Sequence, residues 1–229
     1  LLPQASHHLS FSKGTSTQNY PSSLMGCVAL LRQTYLDGQW YKADGYKEEK
    51  NLSLEAWNRV QPLPQIFEVG DKLDILRAAR IAQEFGAKFL VKTAGDEYQR
   101  LDEVKASGQN LIVPLNFPEG YDVRDPYDAL NVSLHDLKHW EMAPSNPGRL
   151  EAAGIPFCLT TSGLKDKSKF FDNLRKAIEY GLGAEMALKA LTYNPANFIG
   201  AYGSVGSLEA GKVANFMVTN GDVFKADTK

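Results

Sequence analysis

Histidine is scarce in this chain of 229 residues, and its four copies fall in two pairs. His7 and His8 are adjacent, and an imidazole pair closing a strand can ligate a divalent metal. An exposed, tag-like pair near a terminus is the plainer alternative. His135 and His139 stand four apart, on one helical face, which is the start of a zinc site. Asp136-Leu137-Lys138 separates them, so the glutamate of His-Glu-x-x-His is missing, and surface or packing roles are the ordinary reading. Carboxylates at Asp71 and Asp96-Glu97 follow short apolar runs, where they could hold a substrate amine or a metal. They would serve equally as acidic first turns of helices, favoured by the helix dipole. Phe117, Tyr121, Tyr127 and Trp140 could line a cleft or simply pack a long loop. Cys27 and Cys158 sit in the apolar contexts GCVALL and PFCLTT and read as buried reduced thiols. Gly203-Ser204-Val205-Gly206 follows a helix and opens none, so it is not a phosphate cradle.

What must position these groups is an alternation of short apolar runs and helices. After a polar, irregular start, Pro21-Ser22-Ser23 opens a helix with Leu24, Val28, Leu31 and Leu36 at apolar spacing, running to about Tyr46. A second helix over 52–60 stops at Pro62 and Pro64. Apolar runs at 65–69, 88–92, 111–115 and 155–160 read as strands, with one more expected within residues 1–6. Helices are expected at 73–85 and 97–105, ended by Gly86 and Gly108, and at 169–180 and 184–191. This pattern predicts a parallel sheet, either an open doubly wound one or about half of a (β/α)8 barrel. Residues 118–147 form a long aromatic- and Asp-rich insertion, expected over the active-site face or the side of a barrel. A tight turn at Ala210-Gly211-Lys212 then leads into an expected strand at 215–218.

With 43% hydrophobic and 23% charged residues, the composition is that of an ordinary globular chain. A net charge of -2 gives no electrostatic reason to expect nucleic acid or an anionic membrane as partner. There is no charged-then-apolar leader and no apolar run of about 18 residues, so neither a signal peptide nor a transmembrane segment is expected. The compartment is left open.

Several motifs carry a family resemblance. Pro21-Ser22-Ser23-Leu24-Met25-Gly26, then Leu31-Arg32-Gln33, is similar to a helix that imidazolonepropionase-like members of the metal-dependent amidohydrolase superfamily carry after their fourth barrel strand. Leu63-Pro64-Gln65-Ile66-Phe67-Glu68 resembles that family's Leu-Pro-Val-x-x-His entry to strand five, and Asp74-Ile75 the start of the helix after it. Residues 88–93, 111–116 and 154–162 fall at strands six, seven and eight. Residues 187–218, with Asn194-Pro195-Ala196 and the glycines at 200, 203 and 206, resemble the tract that closes the barrel and returns to a small β-sandwich.

The resemblance implies an α/β fold: part of a TIM-like (β/α)8 barrel, about strands 4–8, over residues 1–200, with a C-terminal sandwich segment at 201–229. The family's strands one to three, with their His-x-His, would then lie outside the chain. The uncovered parallel edge would be covered by the missing barrel half or by another copy of the chain. The resemblance also implies hydrolysis of C–N bonds in amides, cyclic ureas or small peptides by water bound to zinc or another divalent cation.

Its ligands would be two His on strand one, Lys or Glu on strand four, His on strands five and six, and Asp on strand eight, which is also the general base. His7 and His8 would fall beside the strand-four position. Glu68 occupies the strand-five position, and a carboxylate can still ligate zinc. Thr93 occupies the strand-six position and is a poor ligand; Lys92 beside it would repel a cation if it pointed inward. Ser162 occupies the strand-eight position, and its hydroxyl cannot act as a general base at neutral pH. Asp71, Lys92, Asp96 and Asn116, at or just beyond the strand ends, mark a pocket for a small-molecule ligand. Two functions stand side by side: a hydrolase of C–N bonds, and a catalytically degenerate scaffold or binding domain without the metal site.

Overall fold

The computed structural model describes residues 4–228, in which five parallel strands lie side by side in sequence order. They are β1 (His7–Ser10), β2 (Gln65–Glu68), β3 (Phe89–Lys92), β4 (Asn110–Pro114) and β5 (Phe157–Thr160). Between β1 and β2, α1 (Leu24–Trp40) continues through a π-helical turn, Tyr41–Gly45, into α2 (Tyr46–Glu48), and α3 (Leu52–Val60) follows. Helix α4 (Lys72–Phe85) joins β2 to β3, and α5 (Leu101–Ser107) joins β3 to β4. The connection from β4 to β5 holds α6 (Pro126–Ala129), α7 (Leu134–Met142) and α8 (Asn146–Ala153). After β5 come α9 (Phe170–Glu179), α10 (Ala184–Leu191) and α11 (Tyr193–Phe198).

Local chemistry explains the boundaries. The Ser23 hydroxyl accepts from Gly26 N and starts α1, and the Asn51 side chain does the same for α3. Gly86, at φ +64, closes α4 in the left-handed conformation that only glycine adopts without strain.

The register sorts the sheet into two faces. Leu9, Phe67, Val91, Leu111 and Phe157 align in one row across all five strands. All five are buried against Ile75 and Ile81 of α4, Val104 of α5, Leu150 of α8, Leu174 of α9 and Ala187 of α10. Each large side chain fully buried there contributes about 1.5–3 kcal/mol. The next row, Ser10, Glu68, Lys92, Ile112 and Cys158, must face the other way because strand residues alternate. None of its members belongs to that helix-covered core.

This arrangement decides between the two architectures. A doubly wound sheet reverses its strand order at a switch point and carries helices on both faces. Here the order runs from β1 to β5 without reversal and the core lies on one face, which is the order of part of a TIM-like barrel.

Two expectations shift. The first strand lies at His7–Ser10, later than residues 1–6, of which 1–3 are outside the described residues. The strand expected at 215–218 does not form: 201–228 contain turns and bends, and no described strand pairs with them. A strand without a partner leaves its backbone groups to water, and Phe216 and Val218 are accordingly exposed (64% and 80%). The tail is instead tied down by Phe224, which packs on the core and accepts from Arg175 Nε at 3.1 Å. Among the described residues no helix is long and apolar enough to cross a membrane.

Candidate functional site

Glu68 and Lys92 end β2 and β3 as neighbours in the row opposite the helices. Lys92 Nζ donates to Glu68 Oε1 at 2.9 Å, so the lysine does face inward and meets the carboxylate directly. Thr93 does not join them. One residue on, it turns to the helix side, is 5% exposed, and donates its hydroxyl to Ile112 O at 3.2 Å. Ser162 lies beyond the end of β5, four residues past Cys158, and its backbone N–H donates to Thr160 Oγ1.

A second polar cluster lies behind β3, on the helix side. Glu97 is fully buried, accepting from Gly95 N at 3.2 Å and from the Asn146 amide, whose own oxygen accepts from Tyr98 N at 2.9 Å. Burial pushes the Glu97 carboxyl well up from the ordinary glutamate range, while bonds from Thr93, its own backbone and Asn146 pull it down. The Thr93 hydroxyl has one hydrogen, and both the Ile112 carbonyl and the Glu97 carboxylate lie within its reach. Asp96 pairs with Lys72 Nζ at 3.3 Å, and its Oδ1 is buried without a partner among the described residues. Tyr98 OH lies 3.1 Å from His139 Nδ1 with the rings stacked. Neither the Glu97–Asn146 pair nor the Tyr98–His139 pair shows in the sequence, because each joins residues more than forty positions apart.

The remaining candidates have local roles. Asp71 caps α4, accepting from Leu73 N and Asp74 N, both at 2.8 Å. His7 packs edge-on against Trp57 on the helix side, and His8 bonds Ser6 Oγ at 2.9 Å. Both sit at the start of β1, whereas Glu68 pairs with Ser10 at its end. His135 contacts its neighbour Asp136 and leaves His139 to Tyr98. Cys27 and Cys158 are buried free thiols.

Asn116 is the candidate that does border a cavity. About 710 Å³ of space opens between the loops after β4 and β5, lined by Asn116, Phe117, Trp140, Lys165, Lys169 and Lys176 among others. The three lysines escaped notice in the sequence because they are spread over twelve positions of ordinary solvated loop and helix.

A divalent metal requires several donors converging on one point. Glu68 is paired with Lys92, Thr93 turns to the helix side, and Ser162 offers only a hydroxyl. Among the described residues no three His, Cys, Asp or Glu side chains form a group that could hold a metal. The donor set of this chain does not fit the metal that the fold suggests.

Residues 48–229 match the amidohydrolase family, and the chain belongs to that family. Its fold is similar to that of an amidohydrolase from Thermotoga maritima MSB8, with a TM-score of 0.71 at 22% identity; the match covers 98% of this chain and 59% of that one. It is also similar to an uncharacterized protein, with a TM-score of 0.50 at 16% identity over 71% of this chain and 40% of that one. The chain therefore spans less than two thirds of the length of either structure. No curated protein sequence matches it.

Proposed function

We propose that this chain is an amidohydrolase-fold binding domain that has exchanged metal ligation for an internal ion pair. The observation that carries this reading is the 2.9 Å contact between Lys92 Nζ and Glu68 Oε1 at the strand ends where the family's ligands project. An ammonium group there satisfies the carboxylate and opposes any cation. A dication 4 Å from it would be repelled by about 8 kcal/mol at an effective dielectric of about 20, before screening by the water that reaches Glu68. The test is zinc content by mass spectrometry after incubation with excess zinc and desalting. The reading expects substoichiometric zinc in the wild type. Stoichiometric zinc that disappears in Glu68→Ala would overturn it.

Family membership favours a second reading, a hydrolase of amide, cyclic urea or small-peptide C–N bonds. It requires metal donors from outside these residues, from the polypeptide or partner that completes the barrel. In the same proposal, residues 201–229 belong to a small β-sandwich, and the 215–218 strand pairs only when its partner strands are present. Sedimentation at rising protein concentration tests whether a second copy covers the open edge: growth beyond 25.3 kDa supports it.

A further inference from the structure

We propose that the cavity between the β4 and β5 loops binds a small organic anion carrying a phosphate or carboxylate group. This deepens the binding-domain reading and rests on it, while zinc content tests that reading separately.

The charge of the lining comes first. Lys165, Lys169 and Lys176 all line the cavity, and none forms an ion pair among the described residues. Elsewhere Lys72, Lys92, Lys189 and Lys212 each meet a carboxylate within 4 Å. Of the two lining carboxylates, Asp166 accepts from Ser168 N at 2.9 Å and from Ser168 Oγ at 2.7 Å, and those bonds with nearby Lys169 favour its charged form. Glu119 is the other, and it is exposed. Three ammonium groups therefore face two carboxylates, which leaves one positive charge in excess and favours an anion.

The walls are held in place. Gly163, at φ +77, lets the β5 loop lie directly on Asn116; a Cβ there would stand 2.5 Å from Asn116 Nδ2. Asn173 Nδ2 donates to Leu115 O at 2.5 Å and ties α9 to the end of β4. Preorganised walls lower the ordering cost of binding. Phe117, Leu164 and Trp140 add apolar surface for the body of the ligand.

The place and size agree with this. Ligands of (β/α)8 barrels bind at the C-terminal strand ends, and the loops after the last two strands frequently hold phosphate. The volume of about 710 Å³ lies within the usual range of about 300–1,000 Å³ for small-molecule pockets.

Titration calorimetry with phenyl phosphate, benzoate and neutral benzyl alcohol tests the assignment. At least one anion should bind and the alcohol should not, with binding weakened by added sodium chloride. Phenyl phosphate alone would point to phosphate monoesters, and both anions would extend the site to carboxylates. The double variant Lys165→Ala/Lys169→Ala should weaken binding at least about tenfold, since each charge-assisted contact is strong. Arg80→Ala, in the separate groove between α1 and α4, should leave binding unchanged. Circular dichroism checks the fold, and Lys169→Gln serves should the double variant misfold. Absence of anion binding, wild-type affinity in the lysine variants, or loss of binding in Arg80→Ala would each overturn the proposal.

Discussion

At the residue scale, the sharpest energetic commitment is Glu97, a fully buried carboxyl held by Gly95 and Asn146. Asn146→Ala removes one partner and leaves the carboxyl underbonded, which costs about 1–3 kcal/mol. Urea unfolding should show that loss as a lower midpoint. Because burial raises the native pKa of Glu97 above its ordinary 4.5, its contribution is complete below that value and is lost as pH rises through the native one. Stability should therefore fall with rising pH across that window, and Glu97→Gln should remove that part of the slope. Cys158 offers an independent check. Burial pushes its thiol pKa up to about 12, so Ellman's reagent at pH 8 should modify it only after denaturant is added. Little of this was legible in the chain. Glu97 reads as an acidic helix start, and its partner lies 49 positions away. Lys92 was legible as a residue that would exclude a cation if it faced inward. The direction it faces became visible only through the register that sets it beside Glu68.

Elements were more legible than sites, because period and punctuation are local. The helix expected at 73–85 is α4 almost residue for residue, with Asp71 as its cap and Gly86 as its stop. The 215–218 strand failed for a nonlocal reason: a short run with three apolar residues makes a strand only beside another strand. The close packing of α8 on the α9–α10 turn is likewise invisible in sequence. A Cβ on Gly148 would lie 2.6 Å from the Gly181 carbonyl carbon, so Gly148→Ala should cost about 1–3 kcal/mol by forcing the two apart. A thermal melt checks this as a lowered Tm. Helix α7 should show a pH response of its own through His139. Burial lowers its pKa; Asp96 and Asp136 pull it up, and His135 and Lys72 push it down. A lowered native value means the stabilisation is present above the ordinary 6.5 and is lost as pH falls through the native value. Hydrogen exchange over 134–142, corrected for intrinsic rates, should quicken on acidification, and His139→Phe should blunt that change.

For the whole molecule, the family motifs made the barrel architecture readable, while among the described residues no three His, Cys, Asp or Glu side chains form a group that could hold a metal. The parallel order of the four strands from β2 to β5 followed from pattern and resemblance. The ion pair at the mouth and the lysine-lined cavity depend on how separate loops meet in space, which no spacing rule encodes.

The uninterrupted β1-to-β5 order has a consequence for how this chain comes to be folded. Each strand after β1 pairs with the one translated before it, so each finds its earlier neighbour already made. Pulse-labelled hydrogen exchange during refolding should then show protection spreading between adjacent strands. On the ribosome, the sheet can be laid down one strand at a time as the chain emerges.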